Sequence, residues 1–315
     1  MKPIKIATNG VPHDYQSSLL PIAIANMGYG IEWVEPSSAD LLIVGPFAAK
    51  NSKPYRWCPK PLRPIVGKAI EAAKGTRENQ PLTLFHTQEN ERHDYLPTDY
   101  SISFDLGVQS KRHFRFPYWM EMLDWSHEGI SGNSNPRYGE LLKMNTLMSP
   151  LGNRYLNRNH ACAILSSHLR EPRGSLFSAL EKVIPTQGFG AFFNKDIKDH
   201  HSSGFLKKDI LKEFSYNLCP ENGLYPGYYT EKIPEAFNSG CLPITWADEN
   251  ISGDFNPKAF LNMQPLFKNN FQDLAAIFAD KEKIESFQAQ PLLLEKPTIE
   301  PLKEFLKEIL DKARG

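Results

Sequence analysis

Short apolar runs alternate along this chain with segments of helical periodicity, an order typical of α/β proteins with mainly parallel sheets. The first half contains an apolar helical segment around residues 17–28, a helical patch near 66–74, and the strand-like runs PIKIATN, ADLLIVGPF, PLTLFHTQEN and YSISFDL. The second half restarts this order with HACAILSSHL and the helical RGSLFSALEKVI, then continues with FLKKDILKEFSYNLC, CLPITW, AFLNM and a helix around 271–287. The pattern therefore predicts two α/β domains.

A polar stretch separates the two series. SHEGISGNSNPRY, at 126–138, is rich in Ser, Gly, Asn and Pro and predicts an exposed loop, with a further helical stretch near 139–148. We therefore expect a domain boundary near 150–158, with domains at 1–155 and 156–295.

The last segment has its own pattern. PLKEFLKEILDKARG places Leu302, Phe305, Leu306, Ile309 and Leu310 on one stripe, which predicts an amphipathic helix within residues 296–315. Its apolar face is expected to dock onto the protein because Glu304, Glu308 and Asp311 dilute the lysines. Peripheral membrane contact stays open as an alternative.

Size and charge narrow the function classes. The 315 residues exceed the roughly 250–300 that one core supports, which agrees with two domains. The 36 basic residues balance 36 acidic ones, so no global field favours nucleic acid, although a local basic site remains open.

The sequence also indicates a compartment. It shows neither a signal-peptide-like apolar segment at MKPIKIATNG nor a run of roughly 20 apolar residues, so we expect a cytoplasmic protein. Four cysteines, widely spaced and without a CxxC pair, predict buried free thiols, which suit a reducing compartment.

The stretch NLCPENGLYPGYYTEKIPEAFNSGCLPITW, at 217–246, joins two apolar strands through a glycine-tyrosine loop and a short helix. Thr230 is the expected N-cap, and Gly240 the residue that ends the helix. Lys232 in the first helical turn favours phosphate, whereas Glu231 suits neutral hydroxyls such as those of a ribose. The alternative is an ordinary helix-start carboxylate at Glu231 beside a solvated surface charge at Lys232.

These residues carry a resemblance. CPENGLYPGYYTEKIPEAFNSGCLPITW, followed by DFNPKAFLNM, resembles the donor-binding signature of the α-1,3/4-fucosyltransferases of glycosyltransferase family 10, as in bacterial Lewis-antigen enzymes. REPRGSLFSAL resembles the arginine-containing segment of that family, and FHTQENERHDY resembles its first-domain acidic motif. DYSISFDL and FRFPYW are similar to the segments that follow this motif, so the resemblance covers about residues 80–265.

The resemblance implies a fold of GT-B type, in which two Rossmann-like domains face a central cleft. It implies inverting transfer of L-fucose from GDP-β-L-fucose to a hydroxyl of an N-acetyllactosamine-type or related glycan, with Glu89 as the catalytic base. Gln88 departs from the family pattern, because relatives often have glycine beside this acidic residue. A role in bacterial surface polysaccharide or lipopolysaccharide is also implied.

The resemblance further implies the donor site. Arg173 and Lys232 would hold the diphosphate, Glu231 the ribose hydroxyls, Tyr228 would flank the donor, and Asn222 would orient the donor or the loop. Such an Arg-Lys clamp can take the place of a divalent metal, so we expect no metal site and no required cofactor, with stimulation by Mn²⁺ or Mg²⁺ left open.

Other chemical signals are weak. His200 and His201 are adjacent and do not form a chelating face, and the chain has no GxGxxG or Walker motif. Two alternatives stay open, a GT-B transferase that uses another GDP-deoxysugar and a catalytically silent sugar-nucleotide-binding protein. The acceptor, which is an oligosaccharide or a glycolipid, and the oligomeric state are not specified by the sequence.

Overall fold

The computed structural model describes residues 2–48, 58–62, 65–66, 80–134, 140–193 and 207–314. The chain forms two compact units, each with its own parallel sheet, as the sequence predicts. Unit 1 comprises Met1–Glu121, Trp125–Pro136 and Pro297–Gly315, and unit 2 comprises Met122–Asp124 and Arg137–Lys296. Residues 137–155 thus lie in unit 2, although the sequence pattern assigned them to the first domain. The predicted helical patch near 66–74 and His200–His201 lie largely or wholly outside the described residues.

Unit 1 is built on a six-stranded sheet in which every pair of neighbours is parallel. Its strand order is β2-β1-β3-β4-β5-β6. The strands are β1 Ile4–Asn9, β2 Ile31–Trp33, β3 Leu41–Val44, β4 Leu82–His86, β5 Tyr100–Ser103 and β6 His113–Arg115. The sequence pattern did not predict β2 and β6, because IEW and HFR are only three residues long and contain no apolar run.

The described helices of unit 1 are α1 Leu19–Asn26, the short α2 Tyr118–Glu121 and, from the end of the chain, α10 Glu300–Arg314. The α10 helix contacts α1 and β1, and Leu302, Leu306, Ile309 and Leu310 on its apolar face are buried. Each buried Leu or Ile side chain contributes roughly 1.5–3 kcal/mol. The expected docking of this amphipathic helix onto the protein is therefore confirmed.

Unit 2 is built on a five-stranded parallel sheet ordered β11-β10-β9-β7-β8. The strands are β7 Cys162–Leu165, β8 Thr186–Phe189, β9 Tyr216–Leu218, β10 Leu242–Thr245 and β11 Leu261–Asn262. Counted from its own first strand, this sheet repeats the 2-1-3-4-5 order of unit 1. The direction of winding reverses between β7 and β9, and ligands of such sheets bind beyond the carboxyl ends of the strands at that point.

The described helices of unit 2 are mostly short. They are α3 Met144–Leu147, α4 Arg173–Glu181, α5 Lys207–Leu211, α6 Lys232–Asn238, α7 Gln264–Lys268, α8 Leu274–Ala279 and α9 Lys281–Ser286. The single helix expected around 271–287 was wrong, because Asp280 adopts an extended conformation between α8 and α9. Its carboxylate accepts a hydrogen bond from the Lys283 amide and so starts a second helix.

The thiols largely match the expectation. Cys162, Cys219 and Cys241 are free and buried, whereas the Cys58 thiol is partly exposed. Across the ranges that the structure describes, no helix is long and apolar enough to cross a membrane.

A pair of histidines makes unit 1 sensitive to acid. The His93 and His113 rings lie 5.0 Å apart, and Nε2 of His113 is buried without a hydrogen-bond partner in the described structure. Burial, and then the charge of His93, lowers the pKa of His113 to about 4 from an ordinary value of 6.5. The folded state therefore favours neutral His113.

We expect His113→Asn to reduce the loss of stability in acid. Because the folded pKa is lowered, the contribution of neutral His113 is fully present above about pH 6.5 and is lost as the pH falls towards 4. Between pH 7 and pH 4.5 the free energy of unfolding of the unchanged protein should fall by roughly 1–2 kcal/mol more than that of the variant. Urea unfolding at both pH values measures this, with His13→Asn, whose side chain is 94% exposed, as the control. Equal losses in the unchanged protein and the His113 variant would contradict it.

Candidate functional site

Two predicted donor residues meet at the carboxyl edge of the second sheet. Arg173 begins α4 after β7, and Asn222 follows β9, so both lie at the point where the winding of the sheet reverses. Nη2 of Arg173 donates a hydrogen bond to Oδ1 of Asn222. Nη1 of Arg173 donates to Nε2 of His168 over 2.8 Å. The guanidinium is therefore held by one residue from the segment after β7 and one from the segment after β9.

His168 is the neutral partner in this contact. Burial, followed by the charges of Arg173 and Arg170, lowers the pKa of His168. The imidazole can then accept from the guanidinium without adding a competing positive charge at neutral pH.

A buried carboxylate closes the loop between β9 and α6. Glu221 is fully buried, and its Oε1 accepts from the Thr230 amide over 2.8 Å. Its Oε2 accepts from the Thr230 hydroxyl over 2.8 Å and from Nζ of Lys232 over 3.0 Å. The Glu221 amide donates to the carbonyl of Trp246, just beyond β10, over 3.1 Å. One side chain thus ties together both ends of the loop.

The resemblance assigns no role to Glu221. The available signal was a carboxylate three residues beyond a strand of buried side chains, directly before Asn222. A carboxylate at such a strand end needs a cation or several N–H donors. Its partners Thr230 and Lys232 became recognisable only once the loop was closed.

Lys232 is an anchored cation. Its side chain is 17% exposed, and Nζ also donates to the Thr230 hydroxyl over 2.6 Å. Burial by itself would lower the pKa of Lys232, but the negative charge of Glu221, followed by Glu231, raises the pKa above its ordinary value. The ammonium therefore stays charged, and the alternative of a solvated surface charge is wrong.

The start of α6 differs from the expectation. Thr230 is not the N-cap, because its hydroxyl donates to Glu221 and the helix begins at Lys232. Glu231 occupies the cap position with helical backbone angles and makes no side-chain cap bond. Gly240 follows the C-cap with φ +79°, which confirms it as the residue that ends the helix.

The remaining predicted donor residues flank this cluster. Tyr228 and Glu231 are both buried, next to the anchored Lys232. Tyr229 is buried as well, and its hydroxyl donates to Asp248 over 3.1 Å, which makes it a packing residue. The roles of Tyr228 and Glu231 as donor ligands stay predictions.

The predicted base lies in unit 1, after the carboxyl end of β4. The Glu89 amide donates to the hydroxyl of buried Thr87 over 3.1 Å, and the Glu89 carbonyl accepts from the Glu91 amide over 2.7 Å. The side chain is half-buried, and within the described part of the chain its carboxylate makes no hydrogen bond or ion pair. The backbone is fixed while the carboxylate remains available.

Within the described ranges, no group of three or more His, Cys, Asp and Glu side chains is arranged to hold a metal ion.

We expect Glu221→Ala to destabilise unit 2 strongly. The substitution leaves the Lys232 ammonium partly buried without its carboxylate and removes both bonds to Thr230. Breaking a buried pair in this way typically lowers the free energy of unfolding by about 3–5 kcal/mol. Urea denaturation measures the loss, with Glu213→Ala at an exposed position of unit 2 as the matched control. A loss below about 1 kcal/mol would show that the carboxylate does not hold the loop.

Comparison with known proteins shows which family this region is similar to. The family model described as "Glycosyltransferase family 10 (fucosyltransferase) C-term" matches residues 156–287, which include the cluster around Arg173 and Lys232. An α-(1,3)-fucosyltransferase of Helicobacter pylori is 28% identical over 205 residues, which is 59% of this chain and 41% of that protein. The chain thus spans about two fifths of the length of this curated relative.

Solved structures agree on the fold. A crystal structure of an α1,3-fucosyltransferase is 22% identical, has a TM-score of 0.66, and is matched over 98% of this chain and 90% of its own. A structure of α1,3-fucosyltransferase with GDP-fucose is 21% identical with a TM-score of 0.64, over the same shares of the two chains. Together with the two parallel sheets, this similarity identifies the fold as GT-B type, with two Rossmann-like units. Residues 156–287 thus match the family model of the C-terminal domain of glycosyltransferase family 10 fucosyltransferases, and the whole chain shares the fold of the solved α1,3-fucosyltransferases.

Proposed function

We propose that this protein transfers L-fucose from GDP-β-L-fucose, with inversion, to a hydroxyl of an N-acetyllactosamine-type or related glycan. The observation that carries the proposal is the anchored pair of cations, Arg173 and Lys232, inside the region that matches the family model. Both lie where an open parallel sheet binds its ligands. Fixed positive charge at this position suits a diphosphate.

The donor would be held by complementary charges. Arg173 offers a planar fork of N–H donors to phosphate oxygens, and Lys232 offers a point charge. Glu231 would accept from the ribose hydroxyls, Tyr228 would flank the donor, and Asn222 would orient it through the bond to Arg173. Because the cations are already held in place, little side-chain entropy is lost on binding.

The reaction is a single displacement. Glu89 takes the proton of the acceptor hydroxyl as that oxygen attacks C1 of fucose, and the bond from C1 to the diphosphate oxygen breaks. The electron pair leaves with GDP, and Arg173 and Lys232 stabilise the negative charge that develops on the diphosphate. Because the acceptor oxygen attacks C1 from the side opposite to the leaving group, the configuration at C1 is inverted.

Two alternatives carry less weight. Another GDP-deoxysugar is less favoured because the relatives with similar sequence and fold are described as fucosyltransferases. A silent binding protein would not need the available carboxylate at Glu89. We further propose that the acceptor is an oligosaccharide or glycolipid and that the protein acts in the cytoplasm, with peripheral contact to the inner membrane left open as an alternative.

The first test is fucosyl transfer. Purified protein, GDP-fucose and a panel of lactose, N-acetyllactosamine and its β-1,3 isomer should yield a product heavier by one deoxyhexose. Glu89→Gln should lower kcat by roughly 10²–10⁴-fold, because the general base is lost, while GDP binding changes little. Mass spectrometry and GDP titration measure the two effects, and Glu32→Gln at an exposed position of β2 is the matched control. Full transfer by the Glu89 variant would remove it as the base.

The second test concerns metal. If the Arg-Lys clamp is sufficient, EDTA should leave the transfer rate within about twofold of its value without chelator, because the two cations supply charge that a metal would otherwise provide. Added Mn²⁺ or Mg²⁺ could still stimulate turnover. Loss of activity in EDTA that is restored by either ion would contradict this part of the proposal.

A further inference from the structure

A hydrogen-bonded network of polar side chains, formed by Tyr15, His86, Gln88 and Glu121, lies next to the turn that carries Glu89. The Tyr15 hydroxyl donates to Nδ1 of His86 over 2.6 Å, and Nε2 of His86 donates to Oε1 of Glu121 over 3.0 Å. Nε2 of Gln88 donates to Oε2 of Glu121 over 2.6 Å. Tyr15, His86 and Glu121 are each at most 5% exposed, and all four residues belong to unit 1.

All hydrogen bonds of this network can form at once. With the imidazole proton on Nε2, His86 donates to Glu121 and accepts from Tyr15 at Nδ1, and Glu121 accepts at both oxygens. The Glu121 carboxylate makes no contact with a lysine or arginine in the described part of the chain. Burying a carboxylate away from lysine and arginine is costly, and an apolar residue would fill the space at lower cost.

The buried Glu121 carboxylate fixes the segment that follows β4. Its two oxygens hold His86, the last residue of β4, and Gln88, two residues further on. Thr87 between them accepts from the Glu89 amide, and its own amide donates to the carbonyl of Ile102 over 3.3 Å. The polypeptide is therefore held by hydrogen bonds at residues 86, 87 and 88, immediately before Glu89.

We propose that Gln88 and Glu121 are positioning residues that fix the Glu89 carboxylate relative to the acceptor hydroxyl. This inference rests on the proposed function, in which Glu89 is the base.

Exchanging the two side chains tests the contact. Gln88→Glu removes the amide donor and places two carboxyl groups at the 2.6 Å contact, where their like charge disfavours the original geometry. Glu121→Gln is the conservative change, because the amide of Gln88 can rotate and accept from the new amide. The double variant restores one carboxylate and one amide with their positions exchanged.

We expect Gln88→Glu to lower kcat by roughly 10- to 100-fold, since misplacing a catalytic group by about 1 Å has effects of this size. The KM for GDP-fucose should stay within about threefold, because the proposed donor residues lie in unit 2. The double variant should recover kcat to within about threefold of Glu121→Gln alone. Gln109→Glu, at an exposed position of unit 1, is the matched control and should leave kcat unchanged.

Two kinetic results would overturn the inference. One is an unchanged kcat in Gln88→Glu, and the other is a double variant that is as slow as Gln88→Glu. A loss of folding is recognised separately by thermal unfolding of each variant.

A second readout does not depend on activity. Hydrogen exchange of the amides at 87–91 should accelerate by roughly fivefold or more in Gln88→Glu and return towards the original rate in the double variant. This measurement can be made even if the unchanged protein transfers no fucose. In that case the proposed function fails, whereas the inference that Glu121 holds the turn is still supported. Unchanged hydrogen exchange in Gln88→Glu would refute the inference that Glu121 holds the turn, whether or not the protein is active.

Discussion

The ion pair between Glu221 and Lys232 is the interaction on which the proposed donor site depends. A fully buried carboxylate is stable only when donors or cations surround it, and here Thr230 and Lys232 provide them. That requirement closes the loop after β9 and keeps the Lys232 ammonium charged at the sheet edge. The same loop carries Asn222, whose amide oxygen holds Arg173. The position of both cations thus follows from one desolvated negative charge.

A buried carboxylate holds a proposed functional residue, or the turn that carries it, in both units. In each unit this residue follows the carboxyl end of a parallel strand. Glu221 supports Lys232 in unit 2, and Glu121 supports the turn of Glu89 in unit 1. Buried carboxylates have few compatible geometries, since each oxygen must find a donor. They therefore fix nearby side chains more firmly than apolar packing does.

How far the sequence predicts this structure depends on the length of each signal. Long apolar runs predict β1, β3, β4 and β7 correctly, and the amphipathic stripe predicts α10, whereas the three-residue strands β2 and β6 leave no pattern. Local rules also favour a Thr230 cap, which is wrong because the hydroxyl bonds to Glu221, nine residues earlier. Such a partner is set by tertiary closure of the loop, and no periodicity in the sequence records it.

The site also contains residues that the sequence indicates and contacts that only the folded structure reveals. The resemblance indicates Arg173, Asn222 and Lys232, and the structure brings Arg173 and Asn222 into direct contact. Gln88 stands out in the sequence only as a departure from the family, and its contact with Glu121, 33 positions further along the chain, required the folded unit.

The most direct measurement compares the binding of GDP and guanosine by calorimetry at fixed salt. Two anchored cations should contribute roughly 1.5–3 kcal/mol each to diphosphate binding, so GDP should bind at least about 100-fold more tightly than guanosine. This preference should fall by about tenfold or more in Arg173→Ala. Equal affinity for GDP and guanosine in the unchanged protein would contradict the proposal that Arg173 and Lys232 bind the diphosphate.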